Sequence, residues 1–367
     1  MPLRRQSASG TARMILVQAP LLVAVFSTAA LCGWGASHIG VPLAWLLGAL
    51  VASMAFALAG ARIEVGAIRS YGLVVLGLAL GQSFTPQIMA ELSSSLPVIA
   101  LGGIGTLAAG LPVVPLFRRM AGLDPATSFF CAVPGGVVLM AVQAQRAGAS
   151  ESHVVLAQSV RLVVVVLIYP ALIALLVPHH AALTEALHTT LPPLRLADVP
   201  GLALLLVAGI LIARLARRSI LPNPWMIAPC LMTIALNMTG LEHAPLPPWL
   251  VTICQLILGV SLGARMTPEF VLGSGRLLLA SVLSSLALIA ILAPTAVIVA
   301  RATGLDLAAV LFGLSPGGMP EMTVAARAAG AAVPLVLSFH LTRVLICNLA
   351  LEPVWHLVAR QRAERRP

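Results

Sequence analysis

Apolar segments long enough to cross a lipid bilayer recur along the whole chain, and short polar stretches separate them. A transmembrane helix needs roughly 20 apolar residues to cross a hydrocarbon core of about 30 Å. The pattern therefore predicts an all-α polytopic membrane protein with about ten transmembrane helices, five in each half. The predicted crossings lie near residues 15–36, 41–60, 68–84, 96–117 and 153–177, and then near 199–213, 223–240, 249–264, 277–300 and 334–357.

A weaker segment lies between the fourth and fifth crossings of each half, at 124–148 and at 306–331, and a Pro-Gly-Gly triplet interrupts it. The triplets Pro134-Gly135-Gly136 and Pro316-Gly317-Gly318 lie 182 residues apart (316 − 134). At this offset, 16 of the 40 residues from Gly122 to Arg161 are identical to their counterparts, which indicates an internal duplication. The expected organisation is a cytoplasmic tail (1–13), a first membrane repeat (14–178), an external linker (179–198), a second membrane repeat (199–357) and a cytoplasmic tail (358–367).

Composition supports a membrane protein, because 59% of the 367 residues are hydrophobic and only 9% are charged. A soluble domain carries about 25% charged residues. The net charge of +10 would suggest nucleic acid in a soluble protein. Here every basic residue is an arginine and most flank apolar segments, so membrane topology explains them better and we expect no direct nucleic-acid contact. The five cysteines are scattered without ligand spacing, which indicates neither a zinc site nor a disulfide framework. We expect no metal and no cofactor.

The arginines also indicate how the two repeats are oriented. If each half crosses five times and its broken segment enters and leaves on one side, only Arg195, Arg301 and Arg327 face outside. If each broken segment crosses fully, each half crosses six times and the basic cluster at 214–218 also falls outside. The positive-inside rule favours five plus five. An odd number of crossings in each repeat inverts the second repeat relative to the first. Both termini are then expected on the cytoplasmic side of a bacterial-type inner membrane.

Length agrees with broken segments that stop halfway. The ten residues from Asp124 to Pro134 span about 15 Å as a helix, half of a hydrocarbon core. Each triplet would then reach the midplane, one from each side, as a re-entrant segment. A discontinuous helix that crosses completely stays open as the alternative.

Broken helices at matching positions of two repeats are the best sequence indication of a transporter's substrate site, although a packing kink is the simpler alternative. Arg161 and Arg343 lie well inside apolar runs, where an arginine is costly. Gln158 and His340 precede them by one helical turn and share their face. Each arginine either binds the free carbonyls of a broken segment or contacts an anion.

Glu321 follows the second triplet, and Leu139 occupies the matching position of the first copy. The carboxylate either complements a helix N-terminus or titrates, coupling protons or pairing with Arg343. We therefore expect two tips that are alike in backbone and unequal in charge. Asp124 and Asp306 precede the broken segments and are predicted helix N-caps.

These motifs resemble the membrane-bound AbrB family, whose members carry an internal duplication. The resemblance rests on Pro42-Leu43-Ala44-Trp45-Leu46-Leu47-Gly48, on both Pro-Gly-Gly blocks, and on the Pro-Gly-Gly-x-x-Glu-Met pattern of residues 316–322 with its later arginine, Arg343. It extends from about Val17 to Trp355, and the first copy departs from it at Leu139. The resemblance implies a likeness to antiporter and anion-transporter folds with inverted repeats. Members are named as regulators of gene expression or as ammonia monooxygenases.

The favoured function is a secondary transporter of a small, anionic solute, held between the two broken helices at the bilayer midplane. The alternative is a membrane-embedded regulator that affects gene expression through a partner protein. Whether the protein forms a homodimer is left open by the sequence. An oxygenase needs a copper or iron site, and the apolar segments contain no His/Asp/Glu cluster with ligand spacing, so we expect no enzyme. The predicted substrate-binding residues are the two tips and the polar side chains near them: Pro134, Gly135, Gly136, Gln158, Arg161, Pro316, Gly317, Gly318, Glu321, His340 and Arg343.

Overall fold

The computed structural model describes residues 8–41, 43–177, 198–219, 221, 223–241, 244–269 and 275–363, and every regular element in these ranges is a helix. The first half contains α1 (Ala8–His38), α2 (Ala44–Leu58), α3 (Gly66–Gly81), α4 (Pro86–Ala108), α5 (Val114–Met120), α6 (Pro125–Ala132), α7 (Val137–Arg146) and α8 (Glu151–Leu176). The second half contains α9 (Val199–Leu215), α10 (Pro224–Thr239), α11 (Pro248–Gly263), α12 (Gly275–Thr303), α13 (Leu307–Leu314), α14 (Met319–Ala328) and α15 (Val333–Ala363). The all-α prediction is confirmed.

Five helical stretches have the length and composition to cross a membrane, as expected for a membrane protein. They are Ala19–His38, Leu92–Met120, Glu151–Leu176, Val199–Arg218 and Gly275–Thr303. Five shorter apolar helices coincide with the remaining predicted crossings, at Ala44–Leu58, Ile68–Gly81, Pro224–Thr239, Pro248–Gly263 and Val333–Leu349.

The two halves carry corresponding helices in the same order, except that α4 and α5 of the first half correspond to the single helix α12 of the second. At the 182-residue offset, the bounds of α3 and α11, of α6 and α13, and of α7 and α14 coincide residue for residue. Helices also pack reciprocally across the halves: α2 packs on α11 as α3 packs on α10, and α4 packs on α15 as α8 packs on α12. The thiol of Cys254 lies 3.3 Å from the carbonyl oxygen of Gly72, its own counterpart. Helices α3 and α11 therefore cross where the halves meet.

Paired glycines permit the closest of these helix contacts. Gly77 and Gly81 in α3 have the small-xxx-small spacing that lets helix backbones approach. A Cβ on Gly77 would lie 2.1 Å from the carbonyl oxygen of Met226 in α10. Its counterpart Gly259 would bring a Cβ to 2.4 Å from the carbonyl oxygen of Leu46 in α2. Substitution of either glycine would push the two halves apart.

Both broken segments fold back on themselves as helical hairpins. In the first hairpin, the Ser150 amide donates to Thr127 Oγ1 over 2.9 Å, so the start of α6 lies beside the end of α7. In the second, the Ala332 amide donates to Asp306 Oδ2 over 3.5 Å, which joins the two ends of α13 and α14. A discontinuous helix that runs straight through would separate these ends. The hairpin shape therefore agrees with the re-entrant alternative.

Aspartate caps begin both hairpins, as predicted. Asp124 Oδ1 accepts from the amides of Ala126 and Thr127 at 3.0 Å, and Asp306 Oδ2 accepts from Ala309 at 3.0 Å. Burial raises the pKa of the Asp124 carboxyl, but its hydrogen bonds outweigh that effect and hold the pKa below its ordinary value. The carboxylate form therefore stabilises the start of the first hairpin.

Several sequence predictions fall outside the described residues. These are the first seven residues of the N-terminal tail, the external linker up to residue 197 with its Arg195, the last four residues of the C-terminal tail, and Pro42 of the motif in the first repeat.

Candidate functional site

The tips of the two hairpins lie side by side in the apolar interior, and Arg161 of α8 joins them. Its Nη1 donates to the carbonyl oxygen of Val133 in the first tip over 3.4 Å. Its Nε donates to the carbonyl oxygen of Pro316 in the second tip over 3.0 Å. Arg161 is only 3% exposed. Residues 183 positions apart (316 − 133) are therefore held together by one buried cation.

Arg343 of α15 binds its own hairpin instead. Its Nη1 donates to the carbonyl oxygen of Ser315 over 2.6 Å, and its Nη2 donates to that of Gly317 over 2.9 Å. Of the two roles predicted for the arginines, the geometry displays the binding of free carbonyls. Since a buried backbone carbonyl without a donor is costly, this binding by Arg161 and Arg343 stabilises both tips.

The prolines of the triplets explain two further polar contacts. A proline has no N–H, so Pro134 and Pro316 cannot donate to the carbonyls four residues earlier, those of Phe130 and Phe312. Gln158 Nε2 donates to the Phe130 oxygen over 2.8 Å, and to Val133 O at 2.9 Å. The counterpart of Gln158, His340, contacts the Phe312 oxygen through Nε2 over 3.1 Å. Because a carbonyl only accepts, this Nε2 carries a hydrogen and donates it.

The two tips differ in backbone, so the expectation of matching backbones is wrong. Gly136 has φ of 90°, in the region that favours glycine, whereas its counterpart Gly318 has φ of −79°. The tips also differ in their arginine contacts, since Arg343 binds only its own tip among the described contacts, whereas Arg161 binds Val133 in its own tip and Pro316 in the other.

Space around the tip glycines is also unequal. A Cβ on Gly135 would lie 2.1 Å from the methyl carbon of Met140, and one on Gly317 would lie 2.7 Å from Met322. A Cβ on Gly318 would lie 2.1 Å from Oε2 of Glu321. At Gly136, by contrast, a Cβ would meet nothing within 4 Å. Among the four tip glycines, Gly136 is therefore the one whose Cα faces open space.

Glu321, which is 1% exposed in the first turn of α14, pairs with a residue that the sequence analysis did not select. Its Oε1 lies 3.5 Å from Nη2 of Arg69 in α3, rather than against Arg343. Of the roles left open for this carboxylate, the pair with Arg343 is not formed, because that guanidinium binds the carbonyls of the tip. Arg69 escaped notice because it lies near the end of an apolar segment, where an arginine normally marks topology.

Three buried polar atoms near the second tip have no hydrogen-bond partner in the described part of the chain: Tyr169 Oη, His340 Nδ1 and Arg343 Nε. The ring of Tyr169 lies 6.4 Å from that of Phe312, whose carbonyl binds His340. Buried polar atoms are normally paired, so these atoms can contact a polar ligand or water. Tyr169 was missed, although it is one of only two tyrosines and lies inside an apolar run.

In the described ranges, no group of three or more His, Cys, Asp or Glu side chains comes together that could hold a metal ion. The chemistry of the site is instead that of guanidinium groups, amides and backbone carbonyls.

The fold and the site define a helical protein with membrane-type apolar helices, built around two broken hairpins whose tips meet. The chain belongs to the family described as transition state regulatory protein AbrB, whose model matches residues 45–359. It is 26% identical over 353 residues to a protein of Bacillus subtilis (strain 168), YhjN, described as uncharacterized, covering 91% of this chain and 92% of that one. It is 26% identical over 326 residues to a protein of Escherichia coli (strain K12) described as a proposed regulator, AbrB, covering 88% and 91%. The family resemblance seen in the sequence is confirmed.

Proposed function

We propose that the protein is a secondary transporter of a small anionic solute, bound between the tips of the two hairpins. The observation that carries the proposal is the bridge that Arg161 makes between Val133 and Pro316. Broken helices that meet inside a membrane protein supply unpaired backbone groups to a substrate. Here the same place holds a buried guanidinium that belongs to one half and touches both.

The balance of charge supports an anion. Arg161 and Arg343 are each 3% exposed, and Glu321 is the one carboxylate that is buried among the described residues. Glu321 is paired with Arg69, so neither tip arginine has a carboxylate partner. A buried charge without a counter-charge is costly, and a bound anion would offset that cost.

The groups that remain unoccupied agree with this role. Arg343 Nε and Tyr169 Oη can donate hydrogen bonds to an oxyanion, and the Cα of Gly136 leaves room for close approach. These contacts add Tyr169 to the substrate-binding residues predicted from the sequence.

For the membrane arrangement, we propose ten spans in two inverted repeats of five, with the hairpins entering from opposite faces of an inner membrane. The support is the reciprocal packing of the halves together with the distribution of arginines. Alternating access would then move one half against the other around the tips.

Charge movement in proteoliposomes on a solid-supported electrode tests the proposal, with a panel of small carboxylates, phosphate and sulfate at fixed ionic strength. We expect at least one anion to give a signal. Arg161→Lys keeps the charge but cannot span two carbonyls as a planar guanidinium does, so its signal falls at least about tenfold. Arg301→Gln, at an exposed position near the end of α12, is the matched control and keeps the wild-type signal. Folded wild-type protein that moves no anion, or an Arg161→Lys variant with full flux, contradicts the proposal.

The second candidate is a membrane regulator that acts through a partner protein, and the description of the Escherichia coli relative favours it. Transcript profiles of a deletion strain complemented with Arg161→Lys separate the two functions. A regulator independent of transport restores the profile with this variant, whereas a transporter that affects transcription through its solute does not.

A further inference from the structure

A second cluster of charged and hydroxyl side chains lies next to the tips, where α3, α8, α11 and α14 approach one another. Arg69 Nε donates to Ser261 Oγ over 3.1 Å, and Arg69 Nη2 lies 3.5 Å from Glu321 Oε1. Arg265, four residues beyond Ser261, donates from Nη1 to Ser159 Oγ over 3.3 Å. The charge of Arg265 also interacts with those of Arg69 and Glu321. One guanidinium group therefore contacts the carboxylate directly, and a second lies close enough to feel its charge.

The cluster leads from accessible protein surface to the tips. The side chain of Arg69 is 27% exposed, whereas Glu321 is 1% exposed and Ser159 is fully buried. Glu321 Oε2 lies so close to Gly318 that a Cβ there would be 2.1 Å away. Polar groups thus run from Arg69 through Glu321 to Gly318 of the second tip.

We infer that Arg69 and Arg265 form a binding site for a small oxyanion on the path to the tips, and that the Glu321 carboxylate occupies this site in the present structure. Two positive charges against one negative charge leave a surplus that favours a second anion. An arriving carboxylate, phosphate or sulfate can take the place of Glu321 on Arg69, since the existing contact is a single one at 3.5 Å. As a step on the access path, the inference rests on the proposed function; binding itself does not.

The residues of this cluster are present in only one of the two sets of counterpart positions in the repeats. Arg69 corresponds to Val251 and Arg265 to Ser83 at the 182-residue offset, and Glu321 corresponds to Leu139. The carboxylate and both arginines are thus absent from the counterpart positions, so those positions do not form a second cluster of this kind.

Thermal unfolding of purified protein in detergent, titrated with acetate, phosphate and sulfate against chloride at constant ionic strength, tests the inference. A ligand that binds only the native state raises the unfolding temperature. We expect at least one oxyanion to stabilise the wild type. Arg69→Gln and Arg265→Gln should each weaken that apparent affinity by about tenfold, the effect of one charge-assisted contact. Arg62→Gln, which removes an arginine of an exposed surface pair with Glu269, is the control and changes nothing.

The direction in which Glu321→Gln changes the oxyanion affinity decides between the inference and its alternatives. Removal of the internal competitor should strengthen oxyanion binding several-fold, whereas a carboxylate that contacts the solute or binds a cation would give the opposite change. Each variant is compared with its own oxyanion-free midpoint, so a general loss of stability does not mimic the result, and any one variant that fails to fold leaves the others as tests.

Three outcomes overturn the inference: no oxyanion stabilises the wild type beyond chloride, Arg69→Gln keeps the wild-type response, or Glu321→Gln weakens binding. If the protein transports an anion but Arg69→Gln does not change the thermal stabilisation by oxyanions, this site is refuted and the transporter proposal is not. An Arg69-dependent response without flux would refute the transporter alone.

Discussion

Gln158 and His340 occupy counterpart positions, yet the structure predicts that their loss has unequal consequences. Gln158→Leu removes the described donor to the Phe130 carbonyl, because Pro134 has no N–H to replace it. His340→Leu leaves the Phe312 carbonyl with two other donors, the amide and the hydroxyl of Ser315 at 3.2 and 2.6 Å.

The magnitude follows from counting the acceptors that are left unsatisfied. A buried carbonyl without a donor costs about 1–3 kcal/mol. Gln158→Leu takes this donor from the Phe130 carbonyl and from the Cys131 carbonyl, which Nε2 also reaches at 3.5 Å, and it removes the side-chain oxygen that accepts from Arg161. His340→Leu orphans no carbonyl and removes Nδ1, a buried atom that has no partner in the described part of the chain. We therefore expect a loss of at least about 1–3 kcal/mol for Gln158→Leu and a change within about 0.5 kcal/mol for His340→Leu.

Equilibrium unfolding in mixed micelles, monitored by far-UV circular dichroism, measures both free energies in one detergent system. Both variants introduce leucine at fully buried positions of long helices, so differences in propensity and burial largely cancel. An equal loss in both variants, or a larger loss for His340→Leu, would show that the proline-freed carbonyls do not determine the stability of the tips.

Two further predictions concern the scaffold. Gly77→Ala places a Cβ 2.1 Å from a backbone oxygen and should lower the unfolding midpoint by several degrees. At Gly105 in α4 a Cβ meets nothing within 4 Å, so Gly105→Ala should raise the midpoint slightly. Differential scanning fluorimetry compares the two variants. Asp124→Ala removes the cap of α6 and should cost about 1 kcal/mol near neutral pH. Because the native pKa of Asp124 is lowered, the capping contribution is present above the unfolded-state pKa and disappears as the pH falls through the native pKa, so wild type and variant should converge in acid unfolding curves.

The hairpins could be predicted from the sequence because their determinants are local. The bounds of α6 and α13 follow from an aspartate cap at one end and a proline at the other. The same proline identifies the carbonyl four residues earlier as one that needs a donor. Gln158 and His340 then stand out as polar residues at one shared offset inside apolar runs.

The partner of Glu321 could not be predicted in the same way. Arg69 lies 252 residues away, and its position near a helix start is what the positive-inside rule explains without any further role. The pair depends on which helices of the two halves become neighbours. That choice follows from the close contacts of α3 with α10 and of α11 with α2, where glycines remove the side chains that would keep backbones apart.

The two tip arginines descend from one position of the repeat but now restrain different motions. Arg343 binds Ser315 and Gly317 within a single hairpin, so its hydrogen bonds survive any movement of that hairpin and α15 as a unit. Arg161 belongs to the first half and binds Pro316 in the second, so relative motion of the halves must break or re-form that bond. Release of this bond leaves the buried Pro316 carbonyl and Arg161 Nε without each other, at a cost of about 1–3 kcal/mol for an unpaired group, so the motion needs replacement partners. One copy of the duplicated arginine therefore binds within the second tip, and the other joins the two halves through Pro316. In the proposed transport cycle, the Arg161–Pro316 bond is the one that relative motion of the halves would break.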